Sequence, residues 1–187
     1  MRIFIGIAIP PAINDRLETV VSSLRPLAAI RWSPLANLHI TTKFIGAWAE
    51  ERLEELKQAL AGVRMPNNLK VDVIGFDFFP NPRHPRVFFA SVRAPGLGTL
   101  HAAIENALEP LGCARDDGAF SPHLTLARIG RDDVSGLCRR VTELKQVDFG
   151  SFTATGFNLY LSQPTPRGSV YTSLASFGLT ERGATAC

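Results

Sequence analysis

Two ten-residue stretches of this chain lie over one another without a gap, and that internal match restricts the possible folds most. Residues 37–46 read Asn-Leu-His-Ile-Thr-Thr-Lys-Phe-Ile-Gly, and residues 121–130 read Ser-Pro-His-Leu-Thr-Leu-Ala-Arg-Ile-Gly. His, Thr, Ile and Gly recur in frame. A chain of 187 residues has room for one substantial domain or for two small lobes around a shared core. The match predicts a duplicated lobe, each half giving one strand to a common centre.

The rest of the chain supplies the elements for such halves. Arg2 to Ile9 reads as an apolar strand. Pro10-Pro11 opens a helix, since proline is tolerated in a first turn. Ile13, Leu17, Val20, Val21 and Leu24 recur along it at helical spacing, and Pro26 ends it. Asn37 to Ile45 is a strand closed by Gly46, and residues 50–63 form an amphipathic helix carried by Leu53, Leu56 and Leu60. After a turn at Met65-Pro66-Asn67-Asn68, Leu69 to Phe79 and Val87 to Arg93 read as strands. The stiff basic loop Pro80-Asn81-Pro82-Arg83-His84-Pro85-Arg86 joins them.

Pro95 starts a further helix, with Leu97, Leu100, Ile104, Leu108 and Leu111 on one face and Gly112 as its stop. His123 to Ile129 is a strand. Val134, Leu137, Cys138, Val141 and Leu144 mark the last helix. Phe152 to Leu161 and Ser169 to Phe177 read as two final strands joined by residues 162–168. These are not regular β-α-β units, so the expected class is α+β, with antiparallel sheets and helices outside. The expected domain is residues 1–179, with 180–187 as a flexible tail.

Composition narrows the setting. No apolar run approaches the roughly 20 residues that cross a bilayer. The start is too short for a signal peptide and meets Pro10-Pro11 at once. A cytoplasmic monomer is the expectation. Three cysteines, Cys113, Cys138 and Cys187, stand far apart, giving neither a disulfide framework nor a zinc pattern. A net charge of +3 and a pI near 9.0 favour an anionic partner. Without a dense basic block that partner is a small anion or an RNA end, not a duplex.

The repeated segment carries the chemistry. Side chains alternate along a strand, so His39, Thr41 and Lys43 share one face while Leu38, Ile40, Thr42 and Phe44 share the other. In the second copy His123 and Thr125 lie opposite Leu124 and Leu126. Each His stands two residues from its Thr, roughly 7 Å apart at Cα, close enough to converge on one tetrahedral anion. A single His-x-Thr is unremarkable, because Thr is a common strand former. Two in matching frames, among four histidines, are a different matter.

Two imidazoles flanking a phosphate can take a proton from water and give one to a leaving oxygen. Two Thr hydroxyls and a cation can stabilise the non-bridging oxygens. Arg128 is the candidate cation. Strict alternation puts it on the Leu124 face, so it reaches the site only through a bulge or a strand end. No carboxylate or thiol accompanies either His on its strand, so no metal and no cofactor is expected. Asp116 and Asp117 read as a turn, and His101 has no evident role. Neither a G-x-S-x-G nor a phosphate-binding glycine loop is present.

These segments resemble the paired H-x-T-x motifs of the two-histidine phosphoesterase superfamily, in particular the bacterial and archaeal RNA 2′,3′-cyclic phosphodiesterases, historically called 2′-5′ RNA ligases. Arg2 to Ile7 with Pro10-Pro11, Arg31-Trp32, Phe79-Pro80-Asn81-Pro82, Arg86-Val87, Tyr160-Leu161-Ser162 and Tyr171 add to the likeness. Thr42 departs from it, since the family usually carries Leu there.

The resemblance implies a bilobal fold, two antiparallel sheets around a central cleft with outer helices and a pseudo-two-fold axis. It implies metal-free hydrolysis of an RNA 2′,3′-cyclic phosphate, or of a small cyclic nucleotide, to a 2′-phosphomonoester. It gives His39 as proton donor and His123 as proton acceptor, with Thr41, Thr125 and Arg128 on the phosphate. Lys43, Arg83, Arg86 and Tyr171 are further candidates for substrate contact. The reverse reaction, ligation of tRNA halves, and a non-catalytic RNA-end binding module are the competing functions.

Overall fold

A computed structural model of the chain describes residues 1–64, 69–165 and 168–178. Nine strands form, in chain order: β1 (Arg2–Ala8), β2 (Arg31–Trp32), β3 (His39–Ala47), β4 (Leu69–Phe79), β5 (Val87–Arg93), β6 (His123–Arg128), β7 (Asp148–Ala154), β8 (Gly156–Thr165) and β9 (Gly168–Gly178). Among the described residues four α-helices intervene: α1 (Pro11–Leu24), α2 (Leu53–Ala61), α3 (Leu97–Leu108) and α4 (Ser135–Glu143). Every strand pairing is antiparallel. None of the described helices is long and apolar enough to cross a membrane.

The strand order is β7-β4-β5-β6-β3-β1-β8-β9, with β2 added on β6. The two strands bearing the repeated segment, β6 and β3, are innermost. They meet through a single residue pair, Ile40 with Leu124. Apart from β2, the sheet is therefore two sets of four strands, β7-β4-β5-β6 and β3-β1-β8-β9, whose inner strands pair at one point, which is the bilobal α+β arrangement expected of the repeat. Each helix buries an apolar stripe. Ile13, Leu17, Val21 and Leu24 form that of α1, and Leu97, Leu100, Ile104 and Leu108 dominate that of α3. A fully buried Leu such as Leu17 or Leu100 contributes roughly 1.5–3 kcal/mol. One cluster of buried side chains runs through both halves.

Strands β4 and β5 have the bounds expected from their alternation. The C-terminal third differs. The stretch read as one strand from Phe152 to Leu161 contains the end of β7 and the start of β8, divided at Thr155. Residues 162–165, read as a loop, continue β8 and pair with residues 168–171 of β9. Pro164 does not break this pairing because proline is tolerated at an edge or strand end. The expected turn at 65–68 and the tail at 180–187 lie outside the described residues.

The departure that matters most is in the register of the central strands. Against β1, Lys43 faces Ile5 and Thr41 faces Gly6, so Thr42 is an extra residue. Against β5, Ala127 faces Phe88 and Thr125 faces Phe89, so Leu126 is an extra residue. Both repeats carry a β-bulge at the same place, immediately after the Thr. A bulge puts two consecutive residues opposite one and resets alternation beyond it. Thr42 and Lys43 both turn inward, at 1% and 3% exposure, and Leu126 and Ala127 do likewise. Phe44 and Arg128 consequently emerge on the His-Thr side, reversing the faces that strict alternation assigns to Lys43, Phe44 and Arg128.

Candidate active site

The cleft between the halves has a volume of about 450 Å³, and His39, Thr41, Thr125 and Arg128 line it with Phe44 and Tyr171. The bulge gives Arg128 its place there, as the alternation argument required. Counting outward from the Ile40–Leu124 pair, the antiparallel register sets His39 against Thr125 and Thr41 against His123. The pseudo-two-fold axis passes through that pair and exchanges one His-Thr set for the other.

The two histidines are fixed in the same way. His39 Nδ1 lies 2.7 Å from the Asn37 carbonyl oxygen, and His123 Nδ1 lies 2.8 Å from that of Ser121. A carbonyl only accepts, so each Nδ1 carries its proton and donates. Among the described residues neither Nε2 has a hydrogen-bond partner; His39 lines the cleft, whereas His123 lies just beyond the residues that line it, beside Thr125 on β6. Aromatic side chains hold the rings. His39 packs against Phe4 at 4.5 Å and edge-on to Tyr171 at 5.1 Å, while His123 packs against Phe79 at 5.0 Å and Phe89 at 5.3 Å between centroids. Gly6 makes room for this. A Cβ there would stand 2.9 Å from the Ile40 carbonyl oxygen and 3.1 Å from His39 Cδ2.

Electrostatics favours neutral imidazoles in the free protein. Burial lowers the pKa of His39, its bond to Asn37 raises it, and the nearby His123 lowers it again, with a net downward shift. Burial likewise lowers His123, the Ser121 carbonyl opposes this, and Arg128 adds to the lowering. Desolvation outweighs the backbone acceptor at both positions. An incoming phosphate anion acts in the opposite sense, favouring an imidazolium beside it.

Three of the weaker candidates are not at the cleft. Lys43 is turned away by the bulge and buried. Its ammonium donates to Glu105 Oε1 at 2.7 Å, to Asp116 Oδ1 at 2.7 Å and to the Ala114 carbonyl at 2.8 Å. It fastens β3 to α3 and to the segment leading into β6. Arg83 is exposed on the Pro-rich loop, away from the cleft lining. Arg86 donates to the Gly130 carbonyl at 3.1 Å, closing that loop onto the end of β6. Tyr171 is at the cleft. Asp116, read as part of a turn, is a partner of Lys43. His101, left without a role, donates from Nδ1 at 2.7 Å to the carbonyl of Thr42, the bulge residue.

Phe44 is a cleft residue that alternation hid. It is 47% exposed, and the Arg2 guanidinium lies 4.9 Å above its ring. The gapless match did contain the signal, because Phe44 aligns with Arg128. Among the described residues lining the cleft there is no carboxylate and no thiol. The donor set suits an anion rather than a divalent cation. The one group of three potential metal ligands among the described residues is His101, Glu105 and Asp116, behind β3, where the Lys43 ammonium already meets both carboxylates.

A family model described as LigT like Phosphoesterase matches residues 7–89 and again 91–171. The RNA 2′,3′-cyclic phosphodiesterase of Methanocaldococcus jannaschii is 33% identical over 172 residues, covering 91% of this chain and 96% of that protein. The protein of the same description from Archaeoglobus fulgidus is 30% identical over 180 residues, covering 95% and 99%. A crystal structure from Thermus thermophilus superposes with a TM-score of 0.79 at 29% identity, covering 96% of this chain and 98% of that one. Escherichia coli LigT complexed with 3′-AMP shares the fold, with a TM-score of 0.77 at 24% identity and coverage of 96% and 98%.

Proposed function

Because this chain belongs to the LigT like phosphoesterase family, we propose that it hydrolyses the 2′,3′-cyclic phosphate at an RNA end to a 2′-phosphomonoester, using His39 and His123 as acid and base. The observation that carries this reading is the pair of histidines presented alike across one seam, each with Nδ1–H tied to a carbonyl two residues upstream. A module that only bound RNA would need cations, not two imidazoles each held through Nδ1–H in the same way.

The chemistry is an in-line displacement at phosphorus. His123 Nε2 takes a proton from water as the water oxygen bonds to phosphorus. The P–O3′ bond breaks, and His39, protonated at Nε2, gives its proton to the departing O3′. The product carries a 2′-phosphate and a free 3′-hydroxyl. Thr41, Thr125 and Arg128 donate to the non-bridging oxygens, where charge accumulates in the transition state. Each histidine keeps its Nδ1–H bond throughout, so neither ring has to reorient between protonation states. The pseudo-symmetry leaves the assignment of acid and base to family likeness. Support for a metal-free path is the donor set of the cleft, whose described residues offer a cation and neutral hydroxyls but no carboxylate or thiol to neutralise a divalent ion. The same reading has a monomer acting in the cytoplasm, a setting that suits the unpaired Cys113 and Cys138.

The test is an oligonucleotide ending in 2′,3′-cyclic phosphate, assayed in EDTA, with the position of the product phosphate determined. Turnover to a 2′-phosphate is expected. His39→Ala and His123→Ala should each lower kcat by about 10²–10⁴-fold. Loss of activity in EDTA with recovery on adding Zn²⁺ would refute the metal-free path. Near-normal turnover by either variant would refute the site.

A further inference from the structure

Strand β2 is two residues long and exists only as an addition to β6, where Arg31 pairs with Arg128 and Trp32 with Ala127. Cross-strand partners point to the same face, so two guanidinium groups stand side by side, and both line the cleft. Like charges directly opposite one another are unfavourable. Nothing nearby relieves this pair. Among the described residues the ion pairs all involve other side chains, and no carboxylate lines the cleft.

The position of Arg31 is nevertheless firmly built. The Ser33 N–H donates to the Leu126 carbonyl at 2.7 Å, at the bulge itself. The Trp32 indole N–H donates to the Ala28 carbonyl at 3.2 Å, and its ring stands edge-on to buried Phe88 at 5.8 Å. An exposed arginine held on such a support, beside another arginine, marks a place for a second negative charge.

A cyclic phosphodiester carries one negative charge, and Arg128, the two threonines and an imidazolium already answer it. We propose that Arg31 binds the internucleotide phosphate on the 5′ side of the terminal nucleoside, making a strand end a better substrate than a free cyclic mononucleotide. This rests on the hydrolase reading and specifies its substrate. The cleft extends past His39 to Ser33, Asn37, Thr165 and Ser169, neutral groups that can accompany a nucleotide without adding charge. The planar fork of arginine suits a phosphate's paired oxygens.

Three substrates separate the possibilities: adenosine 2′,3′-cyclic phosphate, the same nucleotide bearing a 5′-phosphate, and the dinucleotide ApA ending in a 2′,3′-cyclic phosphate. The wild-type protein should show kcat/KM roughly tenfold higher for the second and third than for the first, as one charge-assisted contact allows. Arg31→Gln should bring that ratio close to one, and Arg31→Lys should leave an intermediate ratio. The log–log salt dependence for the dinucleotide should flatten by about 0.7 in Arg31→Gln, one phosphate contact on a single strand. A gain with the dinucleotide but not with the 5′-phosphate would assign the preference to the second nucleoside and overturn the proposal. Equal kcat/KM on all three would overturn it, leaving the hydrolase reading intact. An equal loss on all three in Arg31→Gln would place Arg31 on the reacting phosphate and overturn it too. Absence of turnover on every substrate by the wild-type protein would refute both readings.

Discussion

Replacing Lys43 with Met tests whether the bulge after the first His-Thr pair is held by charge. Lys43 is 3% exposed and Glu105 is 8% exposed. The substitution keeps the chain length and removes the ammonium, leaving Glu105 buried without its nearest cation. Removing one partner of a buried pair destabilises by about 3–5 kcal/mol. The lower end applies here. Glu105 keeps the Asp116 N–H at 2.7 Å and the exposed Arg115 at 3.8 Å, while Asp116 can turn to solvent. A loss of about 3 kcal/mol lowers Tm by roughly 6–12 °C for a chain of this size. Removing both charges, in Lys43→Met with Glu105→Leu, should recover most of it, since an apolar replacement of a buried pair is often neutral.

The pH dependence gives the sharper check. Burial alone would raise Glu105, but the Lys43 bond and the Asp116 N–H prevail and hold it below its ordinary 4.5. Burial would lower Lys43, but its bonds to Asp116 and Glu105 prevail and hold it above 10.5. A depressed carboxylate stabilises above its unfolded pKa and loses that as pH falls through the folded value; a raised lysine stabilises below its unfolded pKa and loses that as pH rises through the folded value. The gap between wild type and Lys43→Met, read by urea or thermal unfolding, should therefore be full near neutrality and close at both extremes. A loss under about 1 kcal/mol at neutral pH, or a gap unchanged in acid, would refute the ion-pair account.

Two further outcomes follow from the site. Both histidines are lowered from 6.5, so the maximum of kcat/KM against pH should fall on the acid side of that value; the profile of kcat should shift upward because bound phosphate favours the imidazolium, and a kcat/KM maximum above pH 7 would contradict the burial argument. Gly6→Ala forces a Cβ against the Ile40 carbonyl and the His39 ring, and should cost about 1–3 kcal/mol in unfolding free energy together with activity; an alanine variant of wild-type stability and rate would show that the seam yields freely.

Much of this architecture is legible in the residues. Apolar alternation marks β4 and β5 to the residue, and proline and glycine punctuation delimits the helices closely. The gapless match places β3 and β6 at the centre. What periodicity does not contain is register. The extra residues Thr42 and Leu126 are defined by their partner strands, so the reversal of Lys43, Phe44 and Arg128 is a tertiary fact; only the awkward phase of Arg128 hinted at it. β2 is too short to have a period, which hides Arg31 from pattern reading. The division of β7 from β8 at Thr155 is equally silent, because one residue between two apolar runs looks like continued alternation.

The thin seam between β3 and β6 has a mechanical meaning. Within each half, strands are tied by ladders several residues long, whereas along this edge of β6 the described backbone ties are few: the Ile40–Leu124 pair, the two-residue pairing of β2, and the Ser33 N–H on the Leu126 carbonyl. The line of least resistance through the sheet thus runs between His39 and His123. A rotation about that line would change the separation of His39 and His123, the acid and base proposed above, while leaving the longer ladders of both halves intact. On the proposed mechanism, the spacing of acid and base is thus set at the most thinly bonded seam of the sheet rather than inside either half.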